Sequence, residues 1–354
     1  MFALRRFQFR VISTINWSCS PAARLNSTEQ LEKYDIPFSA DDNFIALRRE
    51  ESKSLRIAIL GAPNAGKSTL INQLVNHQVC ASSAKKHTTR TAYRAIFHTG
   101  DTELVFIDTP GVVSQQDVKK HSLEKSFKVD PEMSLTKADV IGVLHDISKP
   151  STRDRIHPEI INLLKSVDSQ VPALLLLNKV DKMKNKRKLL EYVNKLSGED
   201  GWPDFVDVFM LSALSGDGIQ DLRDYFLDSA KTRDWDYSQD TLTDQEPEVM
   251  IVRMVRAGML NALPGEIPYG LDIKMEYFNI CDDGSISTIV LIECPSERLY
   301  KLVLGKLKPQ LKFMSQYIEE RLTKNFQRTV RLKLAVQPKR DSNKNKEKKV
   351  RLFA

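Results

Sequence analysis

Eight residues, "GAPNAGKS" (Gly61, Ala62, Pro63, Asn64, Ala65, Gly66, Lys67 and Ser68), fit the pattern G-x-x-x-x-G-K-[ST]. Glycines let a backbone wrap closely around phosphates, and free N–H groups at a following helix N-terminus attract their charge. Lys67 is placed to reach β- and γ-phosphate oxygens, and Ser68 to ligate Mg²⁺. About 110 residues later comes "NKVD" (Asn178, Lys179, Val180 and Asp181). A carboxylate at Asp181 can accept from the N1–H and exocyclic amine of guanine; adenine offers neither donor in that geometry. Together the two motifs predict a GTP/GDP site. "LSA" (Leu211, Ser212 and Ala213) ends a further strand where a backbone N–H could meet guanine O6.

Between these motifs lies "DTPG" (Asp108, Thr109, Pro110 and Gly111). Asp108 is suited to hold Mg²⁺ through water, and the Gly111 N–H to sense the γ-phosphate. In "KKHTTRTAYRAIF" (85–97), Thr89, or alternatively Thr88, would close on Mg²⁺ and γ-phosphate as a switch. Losing the γ-phosphate removes both anchors, so both loops should loosen after hydrolysis. Many GTPases place a water-orienting glutamine just after "DTPG", but here Val112 and Val113 follow. A valine cannot orient water by hydrogen bonding. Either turnover is slow or another group does the work. Asn64 is the candidate, helping to ligate a monovalent cation such as K⁺ that would stabilise charge as an arginine finger does. The competing reading is that Asn64 only shapes the turn. The expected catalytic set is Lys67, Thr89 and Asn64, with Ser68, Thr89 and Asp108 around the metal.

These side chains need elements to hold them. "RIAIL" (56–60) reads as a strand and "STLINQLV" (68–75) as a helix; buried strands then run into Asp108 and Asn178. The pattern predicts an α/β P-loop domain over 54–231, with a mostly parallel sheet and helices on both faces. Residues 232–248 are acidic and poor in aliphatics, so they read as a linker. A second, smaller α+β domain follows over 249–338. Its predicted order is α-β-β-α-α-β: a helix broken at Pro264 and Gly265, two strands, a short helix capped by Ser296, "GKLK", a longer helix with Pro309 in its first turn, and a final alternating strand.

The net charge of +7 is unevenly spread along the 354 residues. Residues 1–28 carry +4 and residues 338–354 carry +5, leaving the body slightly acidic. The basic tail at 339–354 can bind a polyanion or simply be solvated. The N-terminus is Arg-rich, contains serines and has no acid before Glu29. That is the composition of a mitochondrial transit peptide over 1–28, with an N-terminal extension over 29–53; the competing reading is a disordered basic arm. Its arginines interrupt the apolar core of ~7–15 residues that a secretory signal needs. No apolar run approaches the ~18 residues of a membrane span. Cys19, Cys80, Cys281 and Cys294 have no C-x-x-C spacing, so reduced thiols are expected.

The helix–strand order with a glycine turn resembles a type II KH domain. The chain as a whole, over 54–338, resembles the Era family of GTPases in its mitochondrial form. "GAPNAGKS", "HTTR", "DTPG", "NKVD" and "LSA" carry the GTPase part of that resemblance, and "GEIPY" (265–269) with the KH order narrows it. The resemblance implies binding of small-subunit ribosomal RNA near its 3′ end, assistance in assembling the mitochondrial small ribosomal subunit, and a matrix location. Some members associate with the inner membrane, so a peripheral contact there is implied too. Asn64 matches the P-loop asparagine of cation-assisted relatives, and absence of the glutamine is typical of the group. KH domains clamp about four nucleotides at a GXXG turn. Here Gly305 matches the first glycine, while Lys308 stands where the second should be, after Lys306 and Leu307. Lys301, Lys306, Lys308 and Lys312 form a basic ridge, so Gly305, Lys306, Leu307, Lys308 and Lys312 are the expected RNA contacts. Two other readings remain: a GTPase whose KH-like domain docks a protein or membrane partner, favoured by Lys308, and a chain that binds GTP without useful turnover, favoured by the missing glutamine.

Overall fold

A computed structural model describes residues 52–82, 93–112, 135–167, 171–185, 187–198, 201–305, 307–339 and 351–353. Its first strand, β1 (Lys53–Gly61), shows how sequence builds the first layer. Leu55, Ile57 and Ile59 point to one core, while Ala58 and Leu60 point to another. Alternate residues of a strand face opposite sides, so a strand buried on both reads as a continuous apolar run. The same division recurs in β5 (Ala173–Asn178), where Leu174 and Leu176 face the first core and Leu175 and Leu177 the second. Helices α1 (Lys67–Val75) and α4 (Ile219–Asp228) cover the first face; α2 (Pro158–Ser166) and α3 (Lys188–Leu196) cover the second.

With β2 (Tyr93–Thr99), β3 (Thr102–Asp108), β4 (Val140–Asp146) and β6 (Phe205–Leu211), the sheet order is β2-β3-β1-β4-β5-β6. Only β2 and the short β7 (Lys231–Thr232), paired to β1, run antiparallel. Parallel pairing brings the C-terminal ends of β1, β3, β4 and β5 to one edge, where ligands of open α/β sheets bind. β1 begins at Lys53, three residues before the expected strand, because it pairs with β3 from Thr102 onward.

The second domain follows the predicted order: α5 (Pro247–Ala262), β8 (Asp272–Ile280), β9 (Ile286–Cys294), α6 (Glu297–Leu304), α7 (Lys308–Phe326) and β10 (Val330–Pro338). β8 and β9 form an antiparallel pair. β9 and β10 are parallel, so α6 and α7 must make the crossover between them. Ser296 Oγ accepts from the Leu299 N–H and caps α6 as expected. Gly258 lets α5 and α7 cross closely, since a Cβ there would lie 2.7 Å from Ile318 Cδ1. The basic tail ends in a strand, β11 (Arg351–Phe353), antiparallel to β10.

The stretch expected as a linker, 232–248, is an ordered strap on the first sheet. Asp236 takes two hydrogen bonds from Arg56, each 2.8 Å, and Asp244 takes two from Arg94, from its backbone N–H at 2.8 Å and its guanidinium at 2.9 Å. Buried Glu103 accepts from Ser54 Oγ at 3.0 Å and from the Asp236 and Tyr237 N–H groups at 3.0 and 2.9 Å. Thr243 bridges to Ala95 at the free edge of β2. The acids that suggested a solvated linker are the groups that pin it to arginines of the sheet.

Candidate nucleotide site and nucleic-acid turn

The loop from Gly61 to Ser68 joins β1 to α1 and needs glycine at two points. Gly66 sits at φ +106°, and a Cβ there would meet Asn178 Nδ2 at 2.5 Å. At Gly61 a Cβ would meet the Leu144 carbonyl at 2.6 Å. Asn64 also takes a left-handed φ of 63°, and its carbonyl accepts from Lys179 Nζ at 2.7 Å. Lys67 is buried beneath the loop and donates to the carbonyls of Gly61 and Ala62 at 3.0 and 3.3 Å. Burial pulls its pKa down to about 8, against the attraction of Asp108. An ammonium so held gains most from a phosphate oxygen that replaces its lost hydration.

The "NKVD" residues lie where expected, at the end of β5. Asn178 braces the site: its Nδ2 donates to the Ala65 carbonyl at 2.7 Å, and its Oδ1 accepts from the Ala213 N–H at 2.9 Å. Of the "LSA" N–H groups, one of them expected to meet guanine O6, that of Ala213 holds Asn178 and that of Ser212 donates to the Asp217 carbonyl. Lys179 spans the site, since its Nζ reaches both Asn64 O and Asp146 Oδ2 at 2.7 Å. Burial opposes charge on Asp146, but bonds from Lys179 and Ser148 outweigh it and keep its pKa below the usual range. Sequence reasoning missed Asp146; the available signal was an acid ending a strand beside the "NKVD" strand. Val180 and Asp181 lie in a single helical turn, with Asp181 exposed at the mouth of a cavity of about 640 Å³.

On the opposite side, Ser68 Oγ donates to Asp108 Oδ2 at 2.8 Å, so two of the three expected metal groups are together. Tyr93 Oη donates to the same oxygen at 2.6 Å. Burial first, then the Asp108 charge, pushes the Tyr93 phenol well above its ordinary pKa, which keeps it a donor. Thr109 turns its hydroxyl to the Ile59 carbonyl at 2.7 Å, so it ties β3 to β1. Pro110 follows it, and Gly111 packs against the loop, where a Cβ would lie 2.9 Å from Pro63 Cα. Val112 is buried, with its N–H on the Gly61 carbonyl at 3.1 Å. Thr88, Thr89, Val113 and Lys306 lie outside the described residues.

In the second domain, α6 and α7 meet at the lysine-bearing turn. The Gly305 N–H donates to the Lys301 carbonyl, and the Lys308 N–H to the Gly305 carbonyl. Gly305 has φ −91°, and Lys308 opens α7 without a left-handed φ. A lysine at 308 is therefore free of backbone strain. Lys301, Lys308 and Lys312 are exposed, whereas Leu307 is buried in the core and shapes the turn from within.

The family described as "50S ribosome-binding GTPase" matches residues 56–179. A protein named "GTPase Era, mitochondrial" from Danio rerio is 34% identical over 339 residues, covering 81% of this chain and 76% of that protein. The chain belongs to the Era family of GTPases. A Salmo salar protein of the same name is 31% identical, covering 82% of this chain and 77% of its own length. A solved structure of Era in complex with MgGDPNP and nucleotides 1506–1542 of 16S ribosomal RNA aligns at a TM-score of 0.69 and 25% identity, over 82% of this chain and 95% of that one. As an Era-family protein, the chain is a GTP-hydrolysing enzyme.

In this Era-family chain the two domains touch beside the nucleotide site. Arg321 of α7 donates to Gln78 Oε1 at 2.6 Å, and Asn325 donates to the Gln78 carbonyl at 2.9 Å. The cavity beside Asp181 is lined across the gap by Met254, Gly258, Asn261, Tyr317 and Arg321. None of these second-domain residues carries a motif, so sequence reading had no means to place them there.

Proposed function

We propose that this protein is a GTP-driven switch of the mitochondrial matrix that binds small-subunit ribosomal RNA and assists assembly of the small ribosomal subunit. The observation that carries the reading is the union, in one chain, of a guanine-type nucleotide site and a KH-type domain with a lysine-bearing helix–turn–helix. The description of the matched family names the large subunit, but it covers only 56–179. The expected RNA-binding turn lies outside that span, and the Era structure that aligns over both domains carries 16S RNA. Two relatives named as mitochondrial support the compartment. Peripheral contact with the inner membrane extends from the family resemblance alone; among the described residues no helix is long and apolar enough to span a membrane.

The donor set fits Mg²⁺, a hard cation that takes oxygen ligands, because Ser68 Oγ and Asp108 Oδ2 converge to 2.8 Å. Ser68 would ligate it directly, Asp108 through water and Thr89 from the switch. When bound, the metal neutralises charge on the phosphates. Lys67, moving off the Gly61 and Ala62 carbonyls, would meet the β- and γ-oxygens. Asp181 would accept from guanine, while Asn178 and Lys179 hold the loop to the base pocket. Gly111, tight against Pro63, would report the γ-phosphate to the switch. Val112 is turned into the core, so no side chain there orients water, and basal turnover should be slow. Asn64 and K⁺ would supply part of the missing stabilisation; equal turnover in K⁺ and Na⁺, unchanged in Asn64→Ala, would remove that role.

The reading is tested by measuring affinity for a 3′-terminal fragment of small-subunit ribosomal RNA with a non-hydrolysable GTP analogue and with GDP. Binding that prefers this fragment over a shuffled one and differs between nucleotides is expected. Equal affinity for both RNAs in both states would reject it.

A further inference from the structure

Tyr93 is the first described residue after the segment that holds Thr88 and Thr89, four positions beyond Thr89. The antiparallel register of β2 and β3 places it directly opposite Asp108. Its hydroxyl donates to Asp108 Oδ2 at 2.6 Å, the oxygen that also accepts from Ser68. Both Tyr93 and Asp108 are buried, so water does not compete for this bond. From the other side, the Arg253 guanidinium of α5 lies over the Tyr93 ring, 4.6 Å from its centre. Arg253 is itself aimed: its Nη1 donates to Gln245 Oε1 at 2.8 Å, and Gln245 Nε2 donates to the Val79 carbonyl at 3.3 Å. A chain of contacts thus runs from the metal-organising carboxylate, through one phenol, to the first helix of the KH-like domain.

We propose that Tyr93 is a positioning residue for the GTP reaction, its hydroxyl orienting Asp108 and its ring clamped by Arg253 of the second domain. A carboxylate that holds a metal through water has two oxygens and a free rotation. The Tyr93 hydroxyl fixes which oxygen faces Ser68. Partners of this kind behind metal-binding groups change metal affinity by roughly 10–100-fold when removed. A cation over an aromatic face restrains the ring without touching the hydroxyl. Movement of α5 relative to the first sheet would therefore act on Asp108 through Tyr93. The inference rests on the Mg²⁺–GTP reading of the site.

The test uses the full chain and a fluorescent GDP, measuring affinity in EDTA and then the Mg²⁺ concentration that gives half of the Mg²⁺-dependent gain. Tyr93→Phe deletes one oxygen and keeps the ring. The expected result is unchanged affinity in EDTA and a Mg²⁺ midpoint raised about 10-fold. Arg253→Leu should raise the midpoint by a smaller factor, Arg253→Lys should restore part of it, and Arg253→Leu should add nothing to Tyr93→Phe. A wild-type midpoint in Tyr93→Phe, even with a lowered melting temperature, would show packing alone and overturn the proposal. Full additivity of the two substitutions would overturn the link to α5. A wild-type chain with no Mg²⁺-dependent gain would fail the nucleotide reading itself.

Discussion

The nucleotide loop and the KH-like turn are both short, glycine-bearing joints leading into a helix, yet they are built in opposite ways. In the first, Gly66 has a left-handed φ, a Cβ would strike Asn178 at 2.5 Å, and Lys67 is buried. In the second, neither Gly305 nor Lys308 has a left-handed φ, and Lys301, Lys308 and Lys312 stand in water. Under the proposed function, the first would grip by shape and a desolvated charge, and the second by screened charge around a helix joint. Lesions in the first should be close to all-or-none; lesions in the second should be graded and sensitive to salt.

Four variants sharpen or break this contrast. Lys67→Ala removes a buried charge partner, an effect of about 3–5 kcal/mol, so GTP affinity measured by calorimetry should fall on the order of 10³-fold. RNA affinity without nucleotide should not change. Gly66→Ala forces a side chain into a left-handed position at a cost of about 1–3 kcal/mol, lowering GTP affinity roughly 10–100-fold. The double substitution Lys306→Glu and Lys308→Glu should weaken RNA binding and lower the slope of log affinity against log salt by about 1.4, near 0.7 for each lost phosphate contact on a single strand. A slope that stays at the wild-type value would remove these lysines from the interface. Gly305→Ala should be the mildest. Its φ is ordinary, and although the new Cβ would sit a tight 3.0 Å from the Lys301 carbonyl, a small shift of the last helical turn relieves it, so RNA affinity should move by less than about 3-fold. A loss as large as that of Gly66→Ala would show that the turn does rely on close backbone approach.

Much of this architecture was legible because local pattern and global fold agree. The α-β-β-α-α-β order of the second domain follows from periodicity and from stops such as Pro264 and the Ser296 cap. "GAPNAGKS" and "NKVD" are separated by over a hundred residues, but each follows the end of a strand, and β1 and β5 flank β4 in parallel, which brings those ends to one edge. What could not be read depends on partners far along the chain. Asp236 and Asp244 looked like linker acids because their arginines, Arg56 and Arg94, lie 180 and 150 residues away. Tyr93 belongs to no motif, and only the β2–β3 register sets it against Asp108. Leu307, expected among RNA contacts, faces inward, since it is the apolar residue of the three-residue joint and packs into the core.

Crosslinking of RNA to the intact protein in mitochondria, followed by sequencing, tests the central claim most directly. Reads should concentrate near the 3′ end of the small-subunit ribosomal RNA and fall sharply in the Lys306→Glu, Lys308→Glu chain. Crosslinks absent from that RNA, or undiminished by the charge reversal, would contradict the account and leave the second domain as a docking module for another partner.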